Sequence, residues 1–100
     1  MKKAYVVVEV QITNPEAYAD YRVLSTATVA QHGGQFIARG GERDQREGED
    51  ADHNNSWRSV ILEFPSMAQA RAWYESAEYE KAKAVRLANS IGRLFILEGV

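Results

Sequence analysis

The chain has no cysteine among its 100 residues, so a disulfide, a thiol nucleophile and a thiolate metal site are all excluded. Histidine is nearly as scarce. His32 and His53 stand far apart and lack the spacing of a zinc pair, and no metal centre is expected. Neither sign of charge dominates: 12 basic and 14 acidic residues leave a net charge of −2. That gives no general attraction to nucleic acid or to an anionic membrane. Long apolar runs are missing too. The run after Lys2 and Lys3 is interrupted by Glu9 and Gln11, too soon for a signal-peptide core. Nothing approaches the ~20 apolar residues that span a bilayer, and a cytoplasmic protein is the expectation. Gly33-Gly34 and Gly40-Gly41 do not form a Gly-x-Gly-x-x-Gly fingerprint, and phosphate loop and nucleophile elbow are absent. No cofactor is expected.

What is present describes one domain spanning residues 1–100. Hydrophobic residues make up 45% of the chain and charged residues 26%, ordinary for a globular protein. A domain this small buries only roughly 60–65% of its unfolded surface when it folds alone, so its core is thin.

Residues 4–12 read as a strand: Ala4, Val6, Val8, Val10 and Ile12 share one face, and Tyr5, Val7, Glu9 and Gln11 the other. Asn14-Pro15 opens a helix, with asparagine as N-cap and proline at a position that needs no N–H. Ala17, Tyr18, Tyr21, Leu24, Thr28 and Val29 follow helical spacing, and Gly33-Gly34 stops the helix. A second strand is expected over 35–43, with a bulge or close backbone approach at Gly40-Gly41. Residues 44–56 are polar and turn-rich and read as a hairpin extension or loop. A third strand covers 57–64. Pro65 ends it, and Ser66 with Gln69 fits a capping box for the next helix. Ser76 can break or re-cap that helix, a further helical piece runs to about Ser90, and Gly92 ends it before a last strand at 93–98. The order β-α-β-β-α-β is that of a ferredoxin-like α+β fold, a four-stranded antiparallel sheet with both helices on one face. The other face then shows Tyr5, Val7, Ile61, Phe95 and Leu97. Such an apolar patch is unusual on a monomer, and a homodimer packed sheet on sheet is the simplest cover for it.

These segments carry a resemblance. Ala4-Tyr5-Val6, Asn14-Pro15-Glu16-Ala17-Tyr18, His32-Gly33-Gly34, Arg39-Gly40-Gly41, Glu63-Phe64-Pro65-Ser66 and Ala72-Trp73-Tyr74, with Tyr21, Glu47-Gly48, Ser76, Tyr79 and Arg86, resemble domain-of-unknown-function family 1330. The segment from Gly48 to Trp57 is longer and more acidic than that pattern. The resemblance implies the dimeric α/β-barrel superfamily, with a site between sheet and helices. That superfamily includes cofactor-independent monooxygenases, isomerases, dehydratases and haem-degrading enzymes, and fold does not choose among them.

Each candidate residue has a chemical and a structural reading. His32 offers acid–base work near neutrality, or a cap at a helix end. Glu63 would be a base if apolar surroundings raise its pKa; paired with Arg39 or Arg86 it would be structural. Arg39 can fork onto a ligand carboxylate, or onto Glu63 or Glu9. Tyr18, Tyr21, Tyr74 and Tyr79 suit a pocket wall around an oxygen-bearing ligand, with Arg86 beside them, or simply the core. Asp50, Asp52 and His53 offer at most adventitious metal binding. RNA-recognition modules share the topology, but they need exposed aromatics on the central strands and a basic surface. Two functions remain: a cofactor-independent enzyme, monooxygenase- or isomerase-like, acting on an oxygen-bearing organic substrate, and a non-catalytic metabolite-binding or structural dimer.

Overall fold

A computed structural model describes residues 1–48 and 57–100. The polar segment read over 44–56 extends beyond them, and Asp50, Asp52 and His53 lie outside the described residues. Strand β1 (Ala4–Ile12) leads into helix α1 (Pro15–Gln31), followed by β2 (Gln35–Arg39) and β3 (Trp57–Phe64). Helices α2 (Met67–Glu75) and α3 (Ala77–Asn89) precede β4 (Ser90–Glu98). The sheet order is β2-β3-β1-β4, antiparallel throughout, which is the ferredoxin-like arrangement.

Strand parity decides what each face does. Ala4, Val6, Val8 and Val10 are buried, and so are their cross-strand partners Phe64 and Leu62. Tyr18 and Val29 of α1, Ala70 and Trp73 of α2, and Tyr79 and Ala82 of α3 complete one continuous core on this face. Each fully buried large apolar side chain there contributes about 1.5–3 kcal/mol. On the opposite face Tyr5, Val7 and Ile61 are half-buried, while Phe95 and Leu97 are 44% and 57% exposed. Register places Val7 between Ile61 and Phe95, and Tyr5 between Glu63 and Leu97, so these side chains share one uncovered surface. No helix among the described residues is long and apolar enough to cross a membrane.

The caps expected from sequence form, with one change. The Asn14 side chain accepts from the Ala17 N–H, and Gly33 turns the chain out of α1 at φ +78°. Ser66 accepts from the Gln69 N–H, but the Gln69 amide turns away from Ser66 and donates to the His32 carbonyl. The capping box is therefore half formed, and its free arm ties α2 to the end of α1. Ser76 serves two helices at once: its hydroxyl donates to the Trp73 carbonyl and accepts from the Tyr79 N–H.

Two boundaries and one buried stripe differ from expectation. Strand β4 begins at Ser90, and Gly92 lies inside it rather than at a helix end. The buried stripe of α1 passes through Ser25 rather than the 40%-exposed Leu24. Strand β2 stops at Arg39, and its irregularity falls between Phe36 and Ala38 rather than at Gly40-Gly41. Phe36 pairs with Leu62 and Ala38 with Ile61, so two steps along β2 match one step along β3. Ile37 is the extra residue of a β-bulge. Without it, Ala38 would follow Phe36 onto the helix face. With it, Arg39 does, opposite Val60.

Candidate functional site

A cavity of about 150 Å³ lies between α1 and the covered face of the sheet. Val8, Val10, Val60 and Leu62 form its floor, with the indole of Trp73 at one side. Tyr18, Tyr21, Arg22, Ser25 and Val29 of α1 form its roof. Their spacing of i, i+3, i+4, i+7 and i+11 is one helical stripe. Phe36, Arg39 and Gly40 come from the bulged strand, and Arg58 from the start of β3.

The polar groups of this cavity are held by their neighbours. The Arg39 guanidinium stacks on the Phe36 ring, 3.9 Å from its centroid, and donates through Nη2 to the Arg22 carbonyl at 3.1 Å. Partial burial, reinforced by the Arg22 charge, lowers the Arg39 pKa from its ordinary value. Burial raises the Tyr18 hydroxyl, and the nearby Tyr79 adds to it against the Arg86 charge. Burial also raises Tyr21 strongly, with Tyr79 again adding to it. Both tyrosines are thus neutral hydroxyls at pH 7, able to donate or accept a hydrogen bond. The Trp73 indole N–H is satisfied by Thr28 Oγ1 at 3.1 Å, and that hydroxyl donates in turn to the Ser25 carbonyl.

The candidates from sequence divide sharply. Tyr18, Tyr21 and Arg39 are brought together in the cavity. Tyr79 and Arg86 stand behind its wall, fully and almost fully buried on α3, with the Tyr79 hydroxyl 2.9 Å from that of Tyr21. Burial opposes the Arg86 charge, but Tyr79, through its field and a side-chain hydrogen bond, then Tyr21 and Tyr74, outweigh that cost and raise its pKa. Arg86 Nε is buried without a hydrogen-bond partner among the described residues. Tyr74 packs on Trp73 and Tyr79, with the Lys83 ammonium over its ring, and is core rather than cavity wall.

His32 and Glu63 lie outside this group. His32 caps α1, its ring Nδ1 3.0 Å from the Thr28 carbonyl, which fits the capping reading. Glu63 is on the uncovered face, opposite Tyr5 and Gln35. Its partner is Lys3 at 3.2 Å, not Arg39 or Arg86, and the Gln35 amide donates to the same oxygen at 3.0 Å. Gln35 first, then Lys3, holds its carboxyl below the ordinary carboxylate value, the reverse of the rise a buried base would need. Parity explains the difference, because odd-numbered residues of β3 face away from the helices. Sequence reasoning passed over Arg22 and Arg58, although the Tyr18–Val29 stripe and the Val60–Leu62–Phe64 parity point to them. No group of three or more metal-ligating side chains occurs among the described residues.

Comparison with known proteins places this geometry in context. The family described as a domain of unknown function, DUF1330, matches residues 3–100. A protein of unknown function from Rhodopseudomonas palustris, RPA0582, has a solved structure that superposes with a TM-score of 0.79 at 23% identity, over 99% of this chain and 83% of that one. A dimeric ferredoxin-like protein of unknown function from Jannaschia gives 0.69 at 13% identity, over 96% of each chain. SnoaB, a cofactor-independent oxygenase from Streptomyces nogalater, gives 0.67 at 11% identity, over 97% of this chain and 92% of that one. At these identities the likeness is one of fold. No curated protein matches the chain.

Proposed function

Because the chain belongs to the DUF1330 family, whose description assigns no reaction, we propose that it is a homodimeric, cytoplasmic protein that takes a small organic molecule between α1 and the sheet. The observation that carries this reading is the cavity itself. An apolar floor meets a few oriented polar groups there, from Tyr18, Tyr21 and Arg39, which is the usual make-up of a small-molecule site. The uncovered apolar face, with Phe95 and Leu97 exposed, supports association through the sheet, and the dimeric Jannaschia relative of the same fold supports it further.

Turnover of the ligand is the enzymatic form of this proposal, and the fold shared with SnoaB favours it. The binding form needs only the cavity. In both, His32 and Glu63 act structurally, since one caps a helix and the other pairs on the far face. Native mass spectrometry of the purified protein tests the proposal. The expected result is a mass of two chains, with a small molecule released on activation or taken up from a metabolite mixture. A single-chain mass overturns the dimer, and failure of every small organic compound to bind overturns the cavity assignment. His32→Ala separates the roles: it is expected to lower stability while leaving uptake, and any turnover, in place.

A further inference from the structure

Three arginines from three different elements meet at one cavity. Arg22 comes from α1, Arg39 from β2 and Arg58 from β3. The ion pairs of the described residues lie elsewhere: Lys3 with Glu63, Arg93 with Glu9, Lys83 with Glu80 and Arg46 with Asp44. None of the three cavity arginines pairs with a carboxylate among the described residues. A shortage of acids does not explain this, because 11 of the chain's 14 acidic residues are among the described ones. Gathering like charges beside an apolar wall costs free energy unless an anion joins them.

The arrangement is also built. The bulge at Ile37 is what turns Arg39 to this side of the sheet. Stacking on Phe36 and one hydrogen bond to the Arg22 carbonyl then hold its plane, and its remaining guanidinium N–H groups have no acceptor among the described residues. Arg58 reaches the same place beside Gly40, where an added Cβ would stand only 3.5 Å from its Nη1. The space behind these groups is about 150 Å³ and lined by valine, leucine and aromatic side chains. An apolar cavity of about that size accepts one benzene-sized ring.

We propose that the cavity takes a single-ring organic carboxylate, with the ring over Val8, Val10, Val60 and Leu62 and the carboxylate between Arg22, Arg39 and Arg58. This rests on the reading of the cavity as a small-molecule site and adds the ligand's charge, its size and two further binding residues. The planar fork of a guanidinium matches a carboxylate through two parallel hydrogen bonds, and burial of the ring supplies the rest.

Calorimetric titration with benzoate, benzyl alcohol and inorganic phosphate tests it. Benzoate is expected to bind at least tenfold more tightly than either of the others, and to weaken as salt is raised. Arg58→Gln and Arg22→Gln replace exposed side chains and are expected to keep the wild-type melting temperature. Each should cost benzoate about tenfold or more in affinity and leave benzyl alcohol unchanged. Arg39→Gln should do the same; if it fails to fold, the other two variants carry the test. Equal binding of benzyl alcohol and benzoate overturns the anion assignment and leaves the cavity reading standing. Equal binding of phosphate and benzoate shows an adventitious ion only and overturns the ring assignment. Binding of neither ring compound overturns both this proposal and the reading it rests on.

Discussion

The hydroxyl oxygens of Tyr21 and Tyr79 lie 2.9 Å apart and join α1 to α3 behind the cavity wall. Tyr79 is also the main favourable influence on the buried Arg86 charge, so one buried hydroxyl supports two groups. Removing it strands both, while removing the Tyr21 hydroxyl strands one. Tyr79→Phe is therefore expected to destabilise the fold by about 2–3 kcal/mol and Tyr21→Phe by about 1 kcal/mol, with the double variant losing less than the sum. Urea unfolding measures all three. The pair also gives a pH dependence. Tyr21 is raised above its ordinary value of 10.0, so its contribution is complete below pH 10 and is lost as pH climbs toward the higher folded value. Ultraviolet titration should show Tyr21 still protonated at a pH where free tyrosine in solution has ionised.

Two glycines are expected to resist substitution for different reasons. A Cβ on Gly34 would stand 2.5 Å from the ring of the fully buried Phe64. One on Gly92 would overlap the Glu9 carbonyl oxygen, and φ there is +154°. Gly34→Ala should cost about 1–3 kcal/mol by overpacking, and Gly92→Ala at least as much because backbone cannot yield. Gly41 meets nothing within 4 Å, and Gly41→Ala should change stability by under about 0.5 kcal/mol. Thermal unfolding of the three variants provides the comparison.

Glu63 supplies a sign on the acid side. Its carboxyl titrates below the ordinary 4.5 because of Gln35 and then Lys3. A depressed folded value means that its contribution is present above the unfolded pKa and disappears as pH falls through the folded one. Carboxyl-resolved NMR should place the Glu63 midpoint below 4.5, and Gln35→Ala should move it upward. A wild-type midpoint above 4.5 would reverse the assignment and return Glu63 to the role of a candidate base.

The uncovered face predicts a variant that separates assembly from folding. Phe95 lies opposite Val7 in the centre of that face. Phe95→Glu places a carboxylate where the proposed dimer excludes water. Sedimentation should then report a single chain, with an unchanged circular dichroism spectrum. A dimer that survives this change does not use the sheet face.

Much of the fold was legible in local pattern. Val6, Val8 and Val10 alternate cleanly; Asn14-Pro15, Ser66 and Ser76 are capping residues whose chemistry acts within three or four positions. The same parity, applied to β3, sends Glu63 to the face of Ile61 and Arg58 to that of Leu62, so both placements were available to a consistent reading. The bulge was not. Ile37 is neither glycine nor proline, and an extra residue in a strand becomes visible only against the partner strand that it fails to match. The Tyr21–Tyr79 bond was also hidden, since it depends on how two helices 58 positions apart pack over the sheet.

That bulge has a second consequence. Strand β2 is an edge of the sheet, and a regular edge presents a row of unpaired backbone groups on which another strand can grow. The residue that swings Arg39 toward the cavity also breaks the spacing of that row and twists it. The sheet is thereby discouraged from lengthening sideways at this edge, which complements the proposed pairing through its broad face.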